Sequence, residues 1–142
     1  MSLNLENLKK AIDALDRSVG SAEKGIAAGS DANTIETLKA GVIQNFEVAY
    51  EQCWKIMKRW LEKNIGSEAV DGVTRRELFR YGAENNLIQD VDFWMEFHKA
   101  RNETSHTYNE VVADKVYVVA KAFAPAAKQL LERLEARLGG KD

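Results

Sequence analysis

At 142 residues, with 45% hydrophobic and 30% charged side chains, the chain is long enough to bury a real core and too apolar to be disordered. A formal net charge of −2 argues against a broad nucleic-acid-binding face and leaves room only for a small local site. One proline and nine glycines favour long helices over turn-rich β structure.

The only cysteine, Cys53, has no internal disulfide partner, which fits a reducing cytoplasm. The first residues, Met1 to Glu6, are amphipathic and lack the apolar run of a signal peptide. No stretch is long and apolar enough to span a bilayer. The expectation is one cytoplasmic domain over residues 1–142 that makes no membrane contact. No Walker loop, dinucleotide glycine fingerprint or zinc-type cysteine cluster appears, so the sequence calls for no cofactor and no metal.

In chain order, Leu5, Leu8, Ile12, Leu15, Val19, Ala22 and Ile26 recur in steps of three and four, one apolar seam on a first helix. It ends in the small, polar connector Ala28 to Asp31. Asp31 or Asn33 can cap the second helix, with Glu36 placed for a capping box with Asn33. That helix, predicted over residues 32–64, carries Ile35, Leu38, Val42, Phe46, Tyr50, Cys53, Met57, Trp60 and Leu61, with Ile43 and Trp54 widening the stripe. The aromatic stripe reads as core rather than as a cofactor box.

Gly66 to Gly72 reads as a loop. Thr74-Arg75-Arg76-Glu77 is a capping-box pattern that opens a short helix with Leu78, Phe79 and Ala83 inward. Asn85-Asn86 stops it, and Asp90 or Asp92 opens the next helix, with Val91, Trp94, Phe97 and Ala100. The last helix is predicted over residues 110–138, kinked or interrupted at Pro125 and ended by Gly139-Gly140. The expected architecture is all-α: an antiparallel four-helix up-and-down bundle with an extra short helix.

The chemistry gathers between the last two long helices, in Arg101-Asn102-Glu103-Thr104-Ser105-His106-Thr107-Tyr108. Asn, Ser and Thr compete there with helical backbone bonds. Arg101 and His106 are five residues apart and would diverge on a continuous helix, whereas a break lets both reach one site. Arginine grips phosphate with paired donors, and histidine exchanges a proton with a ribose hydroxyl or a leaving oxygen. A twofold axis supplies a second imidazole and so a complete acid–base set. Spacing alone leaves other readings open. Arg101 can pair with Glu103, His106 can cap a helix end, and Tyr108 can pack at the end of the bundle. His98 reads as a helix-surface or interface histidine. Arg75, Arg76 and Arg80 read as a solvated basic face.

That segment, with Val42 to Glu47, Trp54-Lys55, Trp60-Leu61 and Trp94-Met95, resembles the nucleotidyltransferase substrate-binding-like proteins of the HEPN superfamily over about Leu5 to Leu138. The resemblance implies a HEPN-like bundle acting with a minimal nucleotidyltransferase. One implied role is a non-catalytic subunit that binds a nucleotide or other substrate for that enzyme. The other is a homodimeric RNase toxin with a composite Arg–His site, silenced when its partner attaches AMP to the motif tyrosine. Carried onto this chain, Arg101 and His106 are catalytic, Arg101 and Asn102 bind substrate, and Tyr108 is modified. AMP on Tyr108 would add bulk and negative charge near His106 and compete with RNA phosphate for Arg101. A purely structural helical dimer is the third alternative.

Overall fold

The apolar spacing is realised as helix. The computed structural model describes residues 3–139, and among these only helices, turns and connectors occur. In chain order they are α1 (Glu6–Ala27), α2 (Ala32–Ile65), α3 (Ser67–Val70), α4 (Arg75–Glu84), α5 (Val91–Glu103), a 3₁₀ turn (Thr104–His106) and α6 (Glu110–Gly139). Helices α1, α2, α5 and α6 pack into the bundle, and α4 lies against α2 and α5. The all-α expectation therefore holds. Met1, Ser2 and Gly140, which entered the sequence reading of the two ends, lie outside the described residues.

Local chemistry fixes the helix ends that position the site. Asp31, not Asn33, caps α2: its carboxylate accepts the Thr34 N–H at 2.7 Å. Thr74 and Glu77 form the reciprocal capping box that starts α4. Asn86 ends that region with φ of 64°, the left-handed conformation an asparagine tolerates. The Leu87 N–H then reaches back to the Gly82 carbonyl at 2.8 Å.

The core gathers around Phe123 of α6, which is fully buried. Its ring meets Phe46 and Tyr50 of α2 at 5.3 and 6.0 Å, and Trp94 and Phe97 of α5 at 5.4 and 4.9 Å, between centroids. Edge-on and tilted contacts of this kind add to the burial of each ring. The α2 stripe is core, as its period indicated, and Cys53 within it is fully buried. Burial pushes the Cys53 thiol up, so it stays protonated and inert.

Some sequence readings need correction. The 66–72 loop contains α3, a single turn that buries Val70 and is too short to show a period. Ile26 leaves the α1 seam and is exposed, because the α1–α2 turn around it projects into solvent. The interruption at Pro125 does not occur: α6 runs through it. Pro125 is exposed, so water can reach the Lys121 carbonyl that lost its amide partner.

Candidate functional site

The α5–α6 connector is folded by its own hydroxyls. Thr104 Oγ1 donates to the Arg101 carbonyl at 2.8 Å, Ser105 Oγ to that of Asn102 at 3.5 Å, and Thr107 Oγ1 to that of Thr104 at 3.2 Å. Each hydroxyl reaches a carbonyl three residues back, that of Arg101 also accepting the Thr104 N–H, which favours the tighter 3₁₀ turn over continued α-helix. Asn109 restarts the helix, its Oδ1 accepting the Val111 N–H at 2.9 Å. The break expected between Arg101 and His106 is this change of pitch.

Arg101 turns inward to α2. Its Nε lies 3.3 Å from the Glu51 carboxylate and its Nη1 3.4 Å from that of Glu47, while Nη1 also donates to Thr104 Oγ1 at 3.2 Å. Glu103 is not its partner. Nε is shut from solvent without a well-aligned acceptor, so the Glu51 contact is an ion pair and not a directed hydrogen bond. Pairs this exposed add little stability. They do hold the guanidinium in place. Nη2 takes part in none of these contacts.

His106 and Tyr108 face outward. The His106 imidazole is exposed and caps nothing; its backbone carbonyl accepts the Asn109 N–H at 3.1 Å. Its ring lies edge-on to Tyr108 at 6.3 Å. Tyr108 is 86% exposed, which removes the packed-phenol reading and leaves its hydroxyl open to an enzyme. Asn102 is exposed as well. Among the described contacts none joins Arg101 to His106. The structure thus puts the four residues along the last turn of α5 and the connector after it, without assembling Arg101 and His106 into a contact pair.

A second polar group lies beneath this connector. The Arg75 guanidinium stacks on the Trp54 indole at 3.7 Å from the ring centroid and donates to the Tyr50 hydroxyl at 2.9 Å. That hydroxyl is 2.9 Å from His98 Nδ1. Arg75 is therefore not part of a solvated face, and His98 is half-buried rather than a plain surface residue. Burial, then the Arg75 charge, lowers the His98 pKa below the ordinary imidazole value. Burial raises the Tyr50 pKa well above the phenol range, against the pull of Arg75.

Glu47, Tyr50, Glu51 and Trp54 recur along α2 at helical spacing and form the wall of the site. The α2 period contained that signal, two carboxylates interleaved with two aromatic residues. Only the fold shows what they face.

The sequence profile described as nucleotidyltransferase substrate binding protein like matches residues 3–136. The chain belongs to this family. A Haemophilus influenzae protein named probable ribonuclease HepT is 33% identical over 138 residues, covering 91% of this chain and 94% of its own length. A solved Haemophilus influenzae structure, described as revealing the fold of a substrate binding domain of a nucleotidyltransferase, has a TM-score of 0.85 at 31% identity and covers 93% of this chain and 99% of its own. A Thermus thermophilus crystal structure has a TM-score of 0.63 at 22% identity, covers 84% of this chain and 98% of its own, and shares the fold. For this family member, then, the HEPN-like bundle stands on sequence and on structure. Among the described residues no helix is long and apolar enough to cross a membrane.

Proposed function

We propose that the protein is a HEPN-type ribonuclease acting as a homodimer, controlled by a minimal nucleotidyltransferase that adds AMP to Tyr108. The observation that carries this reading is the α5–α6 connector. There an arginine fixed by two carboxylates, an exposed imidazole and an exposed phenol share eight consecutive residues. The Haemophilus influenzae relative named a probable ribonuclease supports it. Exposed Val111 and Val118, two turns apart on α6 beside the connector, offer apolar surface to a second copy.

In this reading Arg101 holds a phosphodiester through Nη2, the nitrogen outside the contacts that fix Nε and Nη1. Neutral His106 takes the proton of the adjoining ribose 2′-hydroxyl. The 2′-oxygen bonds to phosphorus and the bond to the 5′-oxygen breaks. An imidazolium from the second copy gives that oxygen its proton, leaving a 2′,3′-cyclic phosphate and a 5′-hydroxyl. No metal takes part. Silencing proceeds by attack of the Tyr108 oxygen on the α-phosphorus of ATP, with release of pyrophosphate and loss of the phenol proton. The magnesium and acidic residues for that step come from the partner enzyme.

The second reading, a non-catalytic nucleotide-binding subunit, is supported by the description of the solved Haemophilus influenzae relative. One comparison separates the two: RNA incubated with the wild type, Arg101→Ala and His106→Ala. The ribonuclease reading expects cleavage by the wild type and loss of cleavage in both variants. The binding-subunit reading expects no cleavage by any of them and nucleotide binding that weakens in Arg101→Ala. Equal cleavage by wild type and His106→Ala marks contamination and removes the ribonuclease reading.

A further inference from the structure

Asn102 is an exposed amide next to Arg101, and which end of it faces outward decides whether it attracts or repels an anion. His98 stands one turn earlier on the same face of α5, its Nε2 3.5 Å from the Asn102 Nδ2. The other ring nitrogen settles the question. His98 Nδ1 faces the Tyr50 hydroxyl at 2.9 Å and Arg75 Nη1 at 3.4 Å. Arginine only donates. The Tyr50 hydroxyl accepts from Arg75 at 2.9 Å and so has its own proton to give to Nδ1. A proton on Nδ1 would oppose the Arg75 donor, so Nδ1 is the acceptor. The imidazole is neutral, and its single N–H is at Nε2.

We infer that His98 is a positioning residue of the Arg101 site: set as the neutral Nε2–H tautomer by Arg75 and Tyr50, it anchors the Asn102 amide oxygen, so that the Asn102 NH2 group faces the phosphodiester. As placed, Asn102 Nδ2 rather than Oδ1 is the atom near Nε2, a donor against a donor at a long 3.5 Å. A half-turn of the amide, which leaves its shape unchanged, brings Oδ1 to the imidazole proton. The opposite tautomer would turn the amide oxygen outward, toward a phosphate. Arg75, on a different helix from the connector, thereby determines the polarity of a ligand-facing group through two hydrogen-bonded side chains. Arg75 itself is held by its stack on Trp54. The phosphate-facing half of the inference rests on the ribonuclease reading; the relay does not.

Two measurements test it on the full chain. The first is nitrogen-15 NMR of the imidazole rings at neutral pH, with the His98 signals assigned by their disappearance in His98→Gln. The expected result is a neutral ring with its proton fixed on Nε2. A protonated ring, an Nδ1–H tautomer or a mixture of tautomers overturns the relay. The second is the affinity for an uncleavable oligodeoxynucleotide at fixed salt. Asn102→Ala and His98→Leu each weaken binding by about fivefold, the net scale of one solvent-accessible hydrogen bond. The double variant weakens it no further, because both single changes remove the same contact. His98→Gln, which keeps an amide donor near the Nε2 position, binds like the wild type. A double variant equal to the product of the single effects overturns the positioning role. If the wild type does not bind the oligonucleotide, the phosphate-facing half fails; RNA cleavage decides the ribonuclease reading separately, and the NMR result still decides the relay.

Discussion

Glu51 holds Arg101 in place, its carboxylate 3.3 Å from the arginine Nε. In the proposed ribonuclease, an arginine tied in this way to the neighbouring helix is presented to a phosphate at little conformational cost. Glu51→Gln keeps the size of the side chain and removes its charge. Its stability should stay within about 1 kcal/mol of wild type, since both partners are about a third exposed. RNA cleavage should fall by roughly 10- to 100-fold, the cost of a misplaced catalytic group. Urea unfolding and initial cleavage rates, measured on the same preparation, check the two halves.

Phe123 is where α2, α5 and α6 meet, and it is the largest single test of the core. Phe123→Ala should cost about 3–5 kcal/mol, from lost burial plus the cavity left among four aromatic neighbours. The urea midpoint should drop sharply. A change below about 1 kcal/mol would contradict the assigned packing.

Stability should depend on pH through His98. Glu51 of α2, Arg75 of α4 and Arg101 of α5 face this ring, and burial with the arginine charges outweighs the carboxylate to lower its pKa. The unfolded chain therefore takes up the His98 proton at a higher pH, near the ordinary value of about 6.5. The stability that depends on this group is fully present above that value and is lost as pH falls through the lowered folded one. Unfolding midpoints from pH 7.5 down to pH 5 should show this loss in wild type and a shallower one in His98→Gln. Equal slopes would contradict it.

The sequence made the helices legible because each long one keeps its apolar period for several turns, and Thr74 with Glu77 marks a helix start as written. The connector was legible for the same local reason: Thr104 and Thr107 bond back to carbonyls three residues away. What escaped was every contact between distant segments. Arg75 reads as a solvated charge because nothing within its own helix reveals the Trp54 face or the Tyr50 hydroxyl. Arg101 has an acidic neighbour in sequence, Glu103, yet its partners lie about fifty residues earlier on α2. Ile26 fits the α1 period, but periodicity does not show where the packing ends.

Tyr108→Phe should fold with unchanged stability, because its hydroxyl is exposed and the ring packs against little. It should remain active on RNA and escape silencing by the partner nucleotidyltransferase with ATP and magnesium. Mass spectrometry of the wild type should find AMP on Tyr108. AMP on another residue, with Tyr108 untouched, would contradict the assignment of this site.

The most direct test is the chemistry of the cut itself. A single-stranded RNA is incubated with the protein in excess EDTA, alongside the same RNA carrying 2′-deoxy nucleotides at the mapped cleavage positions. Attack by the 2′-hydroxyl with His106 as base predicts cleavage in EDTA, 2′,3′-cyclic phosphate ends, no cutting at the deoxy positions and no activity in Arg101→Ala or His106→Ala. Intact RNA in EDTA, or cuts that persist at the deoxy positions, would contradict it.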